Sequence, residues 1–186
     1  MRAAVIKESH EVSVVSVEDP TPGPREVVVD VAACGICGTD LHILEGEFAP
    51  SLPIVPGHEF AGVVVATGTD VTELTEGQRV AVDPSLYCSE CHYCRLGRGN
   101  LCERWNAIGV SMPGGAAEFA VAPVANCRNV PPGLTRGRDR PQDPGHPLGG
   151  AAPVGATEHT CGWMVTSHVR SIPSRLEFWT DLDCSR

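Results

Sequence analysis

The chain opens on short runs in which valine, isoleucine and alanine either alternate with polar residues or stand in unbroken groups. Ala3 to Ile6, Val12 to Val17, Val27 to Ala33, Gly62 to Ala66, Arg79 to Val82 and Ala117 to Ala122 each read as a β-strand. Pro20, Pro22, Gly23, Pro24, Gly57, Gly77, Gly114 and Gly115 punctuate them as turns. Only Thr39 to Leu44 and the neighbourhood of His92 to Leu96 have the composition of short helical turns, and neither carries an apolar period long enough for a packed helix. The pattern predicts a mainly β architecture, an irregular all-β barrel or sandwich.

The texture changes near Leu134. Twenty valines precede that point and three follow it, at Val154, Val165 and Val169. The segment Thr135 to Gly155 is dense in Arg, Pro, Gly and Asp, a composition that buries too little apolar area to offset the entropy of ordering. One domain over residues 1–134 is therefore expected, followed over 135–186 by a tail that is either disordered or the product of a shifted reading frame. Trp163, Phe178 and Trp179 fit a solvating tail poorly, which favours the frame shift. The 186 residues suffice for one well-cored domain.

Charge narrows the function. The formal net charge is -9 and Lys7 is the only lysine, so no basic surface is available to track phosphates. Nucleic acid is excluded as a partner on that ground. Met1 to Val17 alternates without a continuous apolar run, and no stretch approaches the roughly 20 apolar residues that span a bilayer. A soluble, cytoplasmic protein is expected. Six of the nine cysteines fall in two tight groups, which in a reducing compartment points to metal rather than disulfides.

Cys88, Cys91 and Cys94 form two successive C-x-x-C steps, and Cys102 follows the last of them. Such steps turn the chain so that three thiols converge, and the loop from Arg95 to Leu101 returns a fourth. Zinc accepts four thiolates in a closed, structural site, with no position left for substrate. Arg95, Arg98 and Arg104 lie in or beside this loop, where their charge could stabilise the thiolates. His92 reads as an exposed loop histidine.

A second constellation pairs Cys34-Gly35-Ile36-Cys37-Gly38-Thr39-Asp40-Leu41-His42 with Pro56-Gly57-His58-Glu59. The C-x-x-C pair alone is ambiguous between a redox dithiol and metal ligands. One thiolate, one imidazole and one carboxylate together supply three protein ligands and leave a fourth position open, the arrangement of a catalytic zinc.

With these pieces in order, the chain resembles the zinc-dependent medium-chain dehydrogenases, which include alcohol, sorbitol and threonine dehydrogenases. CGICGTDLH at 34–42, GHEFAG at 57–62, GQRVAVDP at 77–84, the four-cysteine lobe at 88–102 and GGAAEFAV at 114–121 carry the likeness. It implies a GroES-like irregular β-barrel with a four-cysteine zinc lobe. It implies Cys37 as the catalytic zinc thiolate and His58 as the imidazole ligand, with Cys34 a small buried hydrophobe. Glu59 is the third ligand in the sorbitol dehydrogenase branch and stands behind the ligands in the classical alcohol dehydrogenase branch. The resemblance also implies Thr39 as the hydroxyl that passes on the substrate proton, His42 as the histidine that relays it to solvent, and Asp40 as the carboxylate that holds His58 through its other ring nitrogen.

The implied activity is oxidation of a small-molecule alcohol or polyol, with structural and catalytic zinc and with NAD or NADP as hydride acceptor; family members are homo-oligomers. The sequence departs from the family in carrying no G-x-G-x-x-G turn between a strand and a helix: Gly149, Gly150 and Gly155 have the wrong spacing and context. The nucleotide-binding Rossmann domain is thus expected to be absent, with no NAD(P) site. Two functions stay open here: the zinc-binding catalytic part of a dehydrogenase, inactive alone, and a non-enzymatic zinc-binding β-module.

Overall fold

The computed structural model describes residues 1–47 and 51–131; the expected tail at 135–186 lies outside the described residues. In chain order the elements are β1 (Arg2–Glu8), β2 (Glu11–Ser16), β3 (Glu26–Gly35), α1 (Gly38–Glu45), β4 (Glu59–Thr67), β5 (Arg79–Val82), β6 (Ser85–Leu86), α2 (His92–Arg95), β7 (Asn106–Ala107), β8 (Phe119–Pro123) and β9 (Cys127–Asn129). Short 3-10 turns cover Gly99–Leu101 and Val124–Asn126. The mainly β fold is as the valine pattern predicts.

A five-stranded antiparallel sheet in the order β8-β3-β4-β5-β9 forms the body, and β1-β2 and β6-β7 are separate two-stranded ladders. β3 is flanked by strands on both edges, and Val27, Val28 and Val29 in succession are buried. That explains its unbroken valine run, because a strand covered on both faces has no polar alternation to keep. β4 has one exposed side, and its buried residues Phe60, Gly62 and Val64 fall at every second position. Register shifts within the β3–β4 pairing, between Val28 and Val29 and again between Val31 and Ala33, add local twist.

Two cores result. The larger gathers Val27, Val29, Phe60, Val64, Val80 and Ile108, among others, on the sheet. The smaller joins Ile6, Ile43, Ile54, Ala107 and Val110. Ile43 is the buried residue by which α1 docks onto this second core, so the eight-residue helix is held by packing rather than by its own propensity. Ile108 is 1% exposed. Ile108→Val is expected to cost about 1 kcal/mol, measured as a lower denaturation midpoint with an unchanged m-value. A loss near zero would mean that this core is not packed as described.

β6, β7 and β9 are absent from the sequence expectation. Each is two or three residues long, and each exists because a distant segment completes its hydrogen bonds: Ser85 opposite Ala107, and Val82 opposite Cys127.

Candidate functional site

The antiparallel pairing of β3 with β4 sets Gly35 opposite Glu59 and Cys34 opposite Phe60. Cys37 follows directly as the N-cap of α1, in extended conformation, and His58 directly precedes β4. One ligand atom from each of Cys37, His58 and Glu59 lies within 4.8 Å of the others. Gly35 is what admits the carboxylate, since a Cβ there would lie 2.6 Å from Glu59 Oε2. Gly57 has a φ of +92°, and a Cβ on it would lie 2.6 Å from Cys34 Sγ and 2.8 Å from the Ala116 nitrogen. No other residue combines that backbone with that space.

Asp40 joins the two halves of this arrangement. It is 3% exposed. Its Oδ2 accepts the Cys37 backbone N–H at 2.8 Å, and its Oδ1 accepts the Gly57 N–H at 3.2 Å. The same Oδ1 lies 3.4 Å from His58 Nδ1, an ion-pair contact without hydrogen-bond alignment, so this buried ring nitrogen is otherwise unpartnered. With Nδ1 turned toward Asp40, the other ring nitrogen is left to bind a metal.

The two cysteines of the C-x-x-C pair sit in opposite environments. Burial pushes the Cys34 thiol up to about 12, which keeps it protonated. Burial also acts on Cys37, but the Thr39 backbone N–H and then His58 outweigh it, leaving that thiol below its ordinary value. The Asp40 carboxylate, against the effect of burial, raises His58 to about 9. A thiolate-prone sulfur, an imidazole held at one nitrogen and a carboxylate are a donor set that fits zinc with one coordination position free.

Beside this cluster lies a cleft of about 540 Å³ lined by Thr39, His42, Glu47, His58, Trp105 and Val110, with Pro84 and Ala107. Thr39 Oγ1 is 3.8 Å from Cys37 Sγ. His42 is exposed, and its Nδ1 meets Glu47 Oε2 at 2.7 Å. Among the described residues no hydrogen bond joins Thr39 to His42.

Four further cysteines converge in the lobe that β6 and β7 close at its base. The sulfurs of Cys88, Cys91, Cys94 and Cys102 all lie within 4.8 Å of one another, with Cys88 and Cys94 at 3.9 Å. Sulfurs arranged as a tetrahedron at zinc-bond length lie about 3.8 Å apart, so the spacing fits a tetrathiolate. Backbone N–H groups point at the sulfurs: Cys91 at Cys88, Cys94 at Cys91, Cys88 at Cys102, over 3.3 to 3.5 Å. Such donors pull the Cys88 and Cys91 thiols down, whereas burial raises Cys94. His92 is exposed and packs edge-on against Tyr93, with no place in the cluster.

The family described as alcohol dehydrogenase GroES-like domain matches residues 23–132, more than half of the chain. The chain belongs to this family. Its GroES-like domain is 41% identical over 133 residues to the starvation-sensing protein RspB of Escherichia coli strain K12, covering 70% of this chain and 39% of that protein. It is 41% identical over 140 residues to an alcohol dehydrogenase of Geobacillus stearothermophilus, covering 73% and 41%. A zinc-binding dehydrogenase from Sinorhizobium meliloti 1021, solved bound to NADP, superposes with a TM-score of 0.70 at 41% identity over 72% of this chain and 39% of that one. The chain spans about two fifths of the length of the curated relatives it matches.

Within this GroES-like domain the structure brings the candidate site residues of the sequence into two places. Thr39, His42 and His58 line the cleft, with Cys37 and Glu59 meeting His58 and Asp40 lying beside its Nδ1, and Cys88, Cys91, Cys94 and Cys102 fill the lobe. Sequence reasoning missed Trp105, Val110 and Glu47. Trp105 is 47% exposed, and an unburied tryptophan beside a metal lobe is a signal that could have been read. Nothing in the sequence marks Glu47, which reaches the cleft only because α1 ends at Gly46 in a left-handed cap.

Proposed function

We propose that the chain is the zinc-binding catalytic part of an NAD(P)-dependent alcohol or polyol dehydrogenase, with the nucleotide held by residues other than those described. The observation that carries this reading is the convergence of Cys37 and Glu59 on His58, which lines a cleft together with Thr39 and His42. A purely structural zinc module has no use for an open coordination position facing a cleft.

Cys37, His58 and Glu59 would hold the catalytic zinc, and Cys88, Cys91, Cys94 and Cys102 the structural one. Zinc, when bound there, supplies a Lewis acid that brings the alcohol's ionisation near neutral pH. Thr39 accepts the proton of the alcohol oxygen as it passes its own hydroxyl proton on, and the exposed His42 receives that proton on one ring nitrogen and releases it to solvent, with Glu47 accepting the Nδ1 hydrogen. Because no hydrogen bond joins Thr39 to His42, the proton crosses the cleft through a bound molecule such as water. Asp40 keeps His58 oriented, and Trp105 and Val110 form the apolar wall for the substrate's carbon chain. Residues 1–134 constitute this catalytic part.

Cys37→Ser tests the reading. It is expected to remove about one zinc per chain, the one that mild chelation also removes, while the chelation-resistant zinc stays. Unchanged zinc content would remove Cys37 from the site. The zinc-loaded 186-residue polypeptide is expected to give no alcohol-dependent reduction of NAD or NADP. Robust reduction that disappears in Cys37→Ser would place the nucleotide site within these residues and overturn that part of the proposal.

A further inference from the structure

We propose that Arg104 is the positioning residue of the four-cysteine lobe, latching its first and last thiolates in place and slowing release of the metal they hold. The inference rests on the reading of the lobe as a zinc site. Arg104 stands two residues after Cys102, and its backbone N–H donates to Cys102 Sγ at 3.4 Å. Its guanidinium donates to Glu90, which lies in the turn between Cys88 and Cys91, and this places its charge where it acts on the Cys88 thiol. One side chain therefore ties the entry of the loop to its exit.

The other two arginines of the loop do not share this role. Arg95 and Arg98 are exposed, and among the described residues neither guanidinium pairs with a carboxylate or a sulfur. Four thiolates around a divalent cation keep net negative charge, and a fixed guanidinium offsets it at the sulfur it acts on. Lysine in that position would keep the charge and lose the planar fork that serves Glu90 and Cys88 together. The Arg104–Glu90 pair is well exposed, with 61% and 68% of the side chains accessible, so it adds little to the stability of the fold. Its effect belongs to the metal.

The experiment follows zinc release from the full chain into a chromogenic chelator. Arg104→Gln is expected to release the chelation-resistant zinc about 10- to 100-fold faster, the usual cost of losing a partner that orients a ligand. Arg104→Lys should recover part of the loss, and Arg95→Gln and Arg98→Gln should stay near the wild-type rate. A wild-type rate in Arg104→Gln overturns the proposal. So does an equal acceleration in Arg95→Gln and Arg98→Gln, which would mean that only the lobe's total charge counts. If Arg104→Gln fails to fold, Glu90→Gln decides, since it removes the carboxylate that fixes the guanidinium while keeping Arg104 and its backbone contact to Cys102: faster release supports the latch, and an unchanged rate rejects it. Zinc content separates this from the underlying reading. A wild-type chain without chelation-resistant zinc refutes the zinc lobe itself, whereas resistant zinc with an unchanged Arg104→Gln rate refutes the latch alone.

Discussion

Replacing Cys94 by serine is expected to remove the chelation-resistant zinc, lowering metal content by about one atom per chain, and to unfold the segment between β6 and β7. From Tyr87 to Trp105 the only buried residues are Cys91 and Cys102, while Tyr87, Leu96, Leu101 and Trp105 are exposed. Without a metal the lobe therefore has no core of its own, and the two-residue ladder at its base is too short to order it. Structural zinc sites in small modules contribute apparent binding energies of about 10–16 kcal/mol, which is folding energy where no other core exists. Amide exchange in 87–105 should rise sharply in Cys94→Ser, while the five-stranded sheet keeps its protection. Zinc content that does not fall would refute the lobe assignment.

Asp40→Ala is expected to destabilise the chain by about 3 kcal/mol, because it leaves the part-buried N–H of Cys37 and the buried N–H of Gly57 without acceptors. A loss of that size lowers the melting temperature by on the order of 10 °C in a domain this long. The weaker zinc should go with it, since His58 loses the carboxylate beside Nδ1 and α1 loses its tie to the loop before β4. Asp40→Asn keeps one acceptor and presents an amide donor elsewhere, so it should fall between wild type and Asp40→Ala. A melting temperature unchanged in Asp40→Ala would show that Asp40 does not join the two segments.

Thr39, His42 and His58 of the cleft were legible in the order of motifs from Cys34 to Glu59, whereas Glu47, Trp105 and Val110 were not, because no motif marks them. The lobe was equally legible, since two C-x-x-C steps bring sulfurs together by local turns alone. Strand positions followed from valine runs wherever a strand is long enough to bury a face, as in β3 and β4.

What the sequence by itself determined, then, is the short-range part: the β-rich architecture, the spacing of the four lobe cysteines, and the order of the C-x-x-C and Gly-His-Glu motifs. Only the tertiary structure decided the rest. The β3–β4 register sets Gly35 opposite Glu59, and a slip of one residue would turn that carboxylate to the other face of the sheet. Packing of Ile43 into the second core presents Thr39 and His42 to the cleft, and the β6–β7 ladder brings Trp105 to its wall. Of three arginines near the lobe, the path of the chain after Cys102 gives Arg104 alone a thiolate to hold. Each of these depends on segments far apart in the chain meeting in one place, and no local period or spacing records such a meeting.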